Sequence, residues 1–123
     1  GESPAMRVYE LMIIFNGDLD EEAVAGWLSR VTTNIEAEDG RVATVLDSEP
    51  WGRRRFAYEI NHKWEGFYVI LEVVTGANDL SSTDRILRLA DRGEVVRHKI
   101  MRLPDDEVAR RGLLGEVVPA DAG

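Results

Sequence analysis

The chain has 123 residues, enough for one compact domain but too few for two of ordinary size. Hydrophobic residues make up 44% of it and cysteine is absent, so a packed core is expected, while disulfides, thiolate metal sites and cysteine nucleophiles are excluded. The formal net charge of -8 argues against a uniformly basic nucleic-acid binder.

The charge is distributed unevenly along the chain. Residues 16–39 hold seven acidic side chains against Arg30 alone, whereas residues 51–64 and 92–102 are each dominated by arginine and lysine. Arginine has a planar fork of donors that suits phosphates and base edges. We therefore expect local basic surfaces on an acidic body.

The first half of the chain is predicted to form a strand, a helix and a second strand. Residues 6–15 are a short apolar run typical of a buried strand. Asp18 is predicted to cap a helix, with Glu21 completing a capping box. Gly40 is predicted to end that helix in the left-handed conformation, before a strand over residues 41–47. The apolar stripe of the helix comprises Val24, Trp27, Leu28, Val31 and Ile35.

The second half is predicted to continue with a strand, a helix and a last strand. Pro50-Trp51-Gly52 interrupts the second strand as a bend would, and residues 55–60 resume it. Residues 67–74 alternate most clearly, which predicts a half-buried strand. A helix fits residues 80–90, with Asn78 or Ser81 near its start, and residues 95–103 form the last strand.

This order of elements predicts an α+β, ferredoxin-like β-α-β-β-α-β domain. Its four-stranded antiparallel sheet would carry two helices on one face. We expect residues 1–5 to be an expression remnant before an initiator methionine, residues 6–103 to form the domain, and residues 104–123 to be a flexible C-terminal tail. The apolar stripe of the first predicted helix is expected to pack against Leu11, Ile13, Phe67, Val69 and Leu71.

The tail after Pro104 is predicted to add no strand and no stable helix to the domain, with at most one helical turn around Val108. It offers too little apolar area to offset the backbone entropy of ordering it. Two interpretations stay open. The tail either folds onto a basic, partly apolar partner through Val108, Leu113 and Leu114, or is a solubilising extension without contacts.

Nothing in the sequence predicts an enzyme, a cofactor or a metal site. There is no Gly-rich phosphate loop, nucleophile elbow or His-Glu-x-x-His spacing. His98 is predicted to be a packing residue, because no partner for a catalytic base is apparent. No apolar run is long enough to cross a bilayer and no signal peptide is recognisable, so a cytoplasmic protein without a membrane partner is expected.

The segment Trp51-Gly52-Arg53-Arg54-Arg55-Phe56-Ala57-Tyr58 places three arginines beside aromatic residues. Arginine pairs with phosphates, and unpaired bases stack on aromatic rings, so the segment suits RNA. Cations on an edge strand also discourage strand-to-strand aggregation. The residues alone leave both interpretations open.

Several motifs in this chain are similar to those of the bacterial ribosomal protein S6 family. Met6-Arg7-Val8-Tyr9-Glu10 resembles the opening Met-Arg-x-Tyr-Glu, and residues 51–60 resemble the block Trp-Gly-(basic)-Arg-x-Leu-Ala-Tyr-x-Ile, with Phe56 in place of leucine. Glu65-Gly66-Phe67-Tyr68 matches the x-Gly-x-Tyr that follows. Residues 84–89 and 95–98 resemble the second helix and the start of the last strand. The resemblance runs from Met6 to about Leu103, in the family's own order.

The resemblance implies a non-catalytic, structural protein of the small ribosomal subunit that needs no cofactor. It would bind the central domain of the small-subunit ribosomal RNA together with ribosomal protein eighteen, as a heterodimer. Family members are acidic, which fits the pI near 4.7. By position, the resemblance assigns the following residues to the RNA-facing surface or its support: Arg7, Tyr9, Arg53, Arg54, Arg55, Tyr58, Arg97 and Arg102.

A function of a different class stays open as an alternative. A ferredoxin-like regulatory or oligomerising domain would bind a small molecule or itself through an apolar open sheet face, with Val8, Met12 and Ile14 as candidates. This alternative accounts for the acidic charge but not for the run from Arg53 to Arg55.

Overall fold

Strands and helices follow one another in the predicted order, with one strand divided in two and one helix added. The structure is a computed structural model that describes residues 6–48, 51–60, 62–76, 79–91 and 93–113. Its elements are β1 (Arg7–Asn16), α1 (Glu21–Ala37), β2 (Arg41–Leu46), β3 (Gly52–Ile60), β4 (Lys63–Thr75), α2 (Ser81–Arg88), β5 (Val95–Arg102) and α3 (Asp105–Arg111). The remnant expected at residues 1–5 lies outside the described residues.

The sheet is antiparallel, with strands in the order β2-β4-β1-β5, and β3 also pairs with β4. β2 pairs with β4 between Ile70 and Val74, while β3 pairs with β4 between Lys63 and Tyr68. The two strands thus share one edge of β4, and the predicted bend separates them at Gly52, whose φ is 89°. The ferredoxin-like fold is confirmed, because β2 and β3 together fill the predicted second strand position.

The main core lies between the sheet and helices α1 and α2. Opposed residues of antiparallel strands share a face, so the register defines a helix face and an open face of the sheet. Leu11 opposes Leu71, and both are fully buried against α1. The predicted packing of the α1 stripe on the helix face is confirmed. The buried core residues are Tyr9, Leu11, Ile13, Phe15, Val24, Val31, Ile35, Val69, Leu71, Val73, Leu80, Leu87 and Val95, with Trp27, Leu28 and Phe67 packed against them.

The predicted ends of α1 are each displaced. The N-cap is Asp20, whose carboxylate accepts a hydrogen bond from the Ala23 N–H at 2.8 Å. Asp18 instead donates its own backbone N–H to the Asn16 side-chain oxygen. At the C-terminus the left-handed residue is Asp39, with φ 65°, and not Gly40. Asp39 can adopt this conformation because short polar side chains tolerate it better than most residues.

Helix α2 begins after Leu80, which is buried and left-handed at φ 62°. The Asp79 carboxylate accepts a hydrogen bond from the Ser81 N–H at 3.0 Å. The pKa of Asp79 is lowered by hydrogen bonds from the Ser81 side chain and from this N–H. The alternative start at Asn78 lies outside the described residues. Asn34 of α1 donates to the buried Thr83 hydroxyl at 2.9 Å, which ties the two helices together.

The prediction of an unstructured tail is wrong for residues 104–113. Asp105–Arg111 form the short helix α3, and Val108 and Leu113 are buried on the open face against Val8 and Val74. Pro104 precedes the helix and Gly112, with φ 64°, ends it. The flexible tail remains a prediction for residues 114–123, which lie outside the described part of the chain. None of the described helices is long and apolar enough to span a membrane.

Candidate nucleic-acid interface

The three consecutive arginines of β3 each lie over an aromatic ring of β4. The guanidinium carbon of Arg53 is 5.9 Å from the centroid of Phe67, that of Arg54 is 5.7 Å from Tyr68, and that of Arg55 is 5.5 Å from Trp64. The β3–β4 pairing brings this about, since Arg53, Arg54 and Arg55 oppose Phe67, Gly66 and Glu65. Cation–π contact holds each guanidinium in place without using its outward donors.

The Arg53 guanidinium makes polar contacts within the protein. Its Nη1 donates to the Gly17 carbonyl oxygen and lies 3.2 Å from the Glu65 carboxylate. These contacts join the β3–β4 hairpin to the end of β1. Arg53 therefore supports the predicted surface, and its charge is already compensated.

Arg54 and Tyr68 form the centre of the basic part of the open face. The Tyr68 ring stacks on Trp51 at 6.5 Å with a 29° interplanar angle, and meets Phe56 edge-on at 6.2 Å. The sequence prediction omitted Trp51 and Tyr68, although both lie within the motifs that carried the family resemblance. Period-two alternation along β4 would have placed Tyr68 on the face opposite the core.

Arg97 extends the same surface across the sheet. It opposes Ile14, which in turn opposes Tyr68, so Arg97 and Tyr68 share a face two strands apart, about 10 Å at the usual strand spacing. Lys99 opposes Met12 one step further along β5 and is exposed. Sequence reasoning missed Lys99, which the alternation of β5 could have indicated. We call Arg54, Arg97 and Lys99 of the open face, with the exposed Arg55 beside Arg54 in β3, the arginine surface.

Tyr58 is the most exposed aromatic side chain of the β3–β4 hairpin, with 61% of its surface accessible. It lies where the β3–β4 register shifts, between the Arg55–Glu65 and Ile60–Lys63 pairs. The Tyr58 ring belongs to none of the buried hydrophobic clusters. The structure thus leaves Tyr58 accessible on the hairpin that carries Arg54 and Arg55.

Arg7, Tyr9 and Arg102 lie at the other end of the sheet. Tyr9 and Arg102 oppose each other on the helix face, seven residues of β1 away from Asn16, or about 23 Å along the strand. Tyr9 is 8% exposed and belongs to the main core, so its ring packs in the interior beneath the helices. The structure does not bring this group together with the arginine surface.

His98 has a partner that sequence reasoning did not find. Its Nε2 lies 2.7 Å from Asp84 Oδ1 of α2, and its side chain is 15% exposed. The pair connects β5 to α2 on the helix face. This contact holds His98, which is largely buried, between β5 and α2.

The far end of the open face is acidic and covered. Glu10 and Glu72 oppose each other across β1 and β4, and Arg111 of α3 lies 2.6 Å from Glu72 and 3.5 Å from Glu10. Glu107 accepts hydrogen bonds from Arg110 and Arg111, which lower its pKa. The open face is thus divided into the arginine surface and an acidic end closed by α3.

Comparison with known proteins agrees with the resemblance seen in the sequence. The family described as Ribosomal protein S6 matches residues 8–102. The chain is 39% identical over 97 residues to the small ribosomal subunit protein bS6 of Carboxydothermus hydrogenoformans, covering 79% of this chain and 96% of the relative. It is 38% identical over 100 residues to that of Acidothermus cellulolyticus, covering 81% and 98%.

A solved structure has the same fold. The 30S ribosomal protein S6 of Thermotoga maritima superposes with a TM-score of 0.75 at 28% identity, covering 88% of this chain and 97% of that one. The sequence match extends over both β-α-β halves and includes the arginine run of β3 and the strand that bears Arg97. The chain therefore belongs to the ribosomal protein S6 family, whose members are structural, non-enzymatic components of the small ribosomal subunit in the bacterial cytoplasm.

Proposed function

We propose that this ribosomal protein binds the central domain of the small-subunit ribosomal RNA through the arginine surface, together with ribosomal protein eighteen. The RNA would contact the end of the open face that carries Arg54 and Arg97. Phosphates would be bound by these guanidinium groups, and the adjoining aromatic rings would accept stacked bases or sugars.

The observation that carries the proposal is that Arg54 is stacked on Tyr68 with its charge uncompensated. Among the residues that the structure describes, no carboxylate lies within ion-pair distance of Arg54 or Arg55, whereas Arg53 contacts Glu65. A stacked arginine has already lost much of its side-chain freedom, so a phosphate binds it at a lower entropic cost. In a chain of net charge -8, such a surface is where RNA would be attracted.

A groove beside the arginine surface supports the proposal that a protein partner binds here. It has a volume of about 220 Å³ and is lined by Glu10, Met12, Trp51, Ile70, Lys99 and Met101. Met101 is 42% exposed and methionine adapts readily to partner side chains, which suits a protein surface. Lys99 at its wall would contribute to the partner's register through its charge.

The alternative of a small-molecule or self-binding apolar face has less support. Of its candidate residues, Val8 is 1% exposed beneath α3 and Ile14 is 5% exposed beside Phe56. Met12 alone remains partly accessible. The apolar surface on which that alternative depended is therefore mostly covered by the chain itself.

The test is the salt dependence of binding to a central-domain ribosomal RNA fragment in the presence of protein eighteen. Arg54→Gln/Arg97→Gln should weaken binding and make the negative slope of log K against log salt shallower by about 1.4–1.8, since each phosphate contact contributes about 0.7–0.9. Arg85→Gln, an exposed cation of α2 on the helix side, is the matched control and should leave the slope unchanged. Equal slopes for the double variant and the control would remove the arginine surface from the RNA site.

A further inference from the structure

Trp64 is a large aromatic side chain of the basic hairpin that the fold does not use. It is 48% exposed and belongs to none of the buried clusters, whereas the neighbouring Phe56 and Tyr68 pack with Ile14 and Val96 on the open face. Trp64 is the second residue of β4. It directly follows Lys63, which pairs with Ile60 beside the turn of the β3–β4 hairpin. Packing therefore gives no reason for a tryptophan here.

Arg55 stacks on this ring. Its guanidinium lies over Trp64 at 5.5 Å from the ring centroid, while the rings beneath Arg53 and Arg54 are both partly buried. Of the three stacked pairs, only the pair of Arg55 and Trp64 thus has an exposed ring. A ring held by a cation on one side offers its remaining surface as a preformed platform.

The charge around Trp64 selects the kind of ligand. Residues 51–66 carry four cations, Arg53, Arg54, Arg55 and Lys63, against Glu59 and Glu65, on a chain of net charge -8. Arg53 is paired with Glu65 and Lys63 with Asp18, whereas no carboxylate in the described part of the chain pairs with Arg54 or Arg55, so these two can bind an external anion. A flat aromatic surface beside unpaired guanidinium groups matches an unpaired nucleotide, which has both a π-face and a phosphate.

We propose that Trp64, held by Arg55, is a stacking platform for an unpaired base of RNA. The inference rests on the proposed function and names a feature of the RNA that the arginine surface alone does not require, a nucleotide outside the double helix. Arg55 is a positioning residue for the ring and also contributes charge to the adjacent phosphate. Stacking on Trp64 is tolerant of base identity, because every base has a π-face.

The test compares Trp64→Ala with Trp64→Phe in binding to the central-domain RNA fragment with protein eighteen. Trp64→Ala should weaken RNA binding roughly tenfold, the loss typical of one stacked base, and Trp64→Phe should retain most of the affinity. The salt slope should be unchanged in both, since no phosphate contact is lost. Leu89→Ala removes another large exposed apolar side chain, 72% accessible beyond α2, and should bind as the unaltered chain does.

The outcomes separate this inference from the proposed function. If the unaltered chain binds the fragment and Trp64→Ala binds equally well, the platform is refuted while the arginine surface stands. If the unaltered chain does not bind, both proposals fail. If Trp64→Ala loses affinity for protein eighteen measured without RNA, Trp64 belongs to the protein partner and the base-stacking proposal is overturned.

Discussion

At the scale of single residues, the open face depends on one glycine. The Phe56 ring lies directly over Gly66, where a Cβ atom would meet Phe56 Cζ at 2.7 Å and Ile14 Cγ2 at 2.9 Å. This close approach leaves room for the Phe56 ring above the strand. It also positions Phe56 against Tyr68, whose other neighbour is Trp51. Gly66 thus fixes the aromatic cluster beneath Arg54.

Replacing Gly66 by alanine should destabilise the protein by about 1–3 kcal/mol, the usual cost of overpacking a filled site. The added methyl would also meet the Phe15 carbonyl oxygen at 2.9 Å, which cannot rotate away as a side chain can. The measurement is urea unfolding followed by circular dichroism. Gly26→Ala is the control, because a Cβ at Gly26 meets nothing within 4 Å and alanine is the better helix former by about 0.5–1 kcal/mol. A neutral Gly66→Ala would contradict the packing described.

At the scale of elements, α3 is the part of the fold that sequence reasoning could not supply. The segment has seven residues and only Val108 and Leu113 to bury, too little for a helix that must be stable alone. Its stability comes from contacts far away in sequence, with Val8 and Val74 below it and Glu72 opposite Arg111. By contrast, α1 has a long apolar stripe, and its existence, though not its caps, followed from spacing alone. Local sequence patterns predict an element only when its own residues show a clear apolar periodicity.

Arg111 should contribute more to stability than its neighbour Arg110. The Glu72 side chain is 8% exposed, so Arg111→Gln would leave a desolvated carboxylate without its cation, at a cost of about 1–3 kcal/mol. Adding Glu72→Gln to that variant should recover part of the loss. Arg110→Gln is the matched control, since Arg110 is 71% exposed and contacts only Glu107. Equal free energies of unfolding for Arg111→Gln and Arg110→Gln would show that α3 is not held by the buried ion pair.

At the scale of the whole molecule, function follows from how charge is separated on the surface. An acidic chain presents Arg54, Arg97 and Lys99 on one part of the open face, while Glu10 and Glu72 at the other end both lie within ion-pair distance of Arg111. The fold, the basic hairpin and most of the candidate residues were predictable, because they lie in local motifs. The sequence did not predict which arginines lack a partner. Arg53 is compensated by Gly17 and Glu65, and only the folded sheet brings these partners to it.

The most direct test of the arginine surface is an NMR titration of the arginine Nε–Hε signals with the central-domain RNA fragment and protein eighteen. Guanidinium groups that bind phosphate change their chemical environment strongly, whereas distant ones do not. We expect the signals of Arg54, Arg55 and Arg97 to shift and those of Arg85 and Arg88 on α2 to stay in place. Shifts confined to α2, with the β3 and β5 signals unmoved, would contradict the proposal that RNA binds the open face.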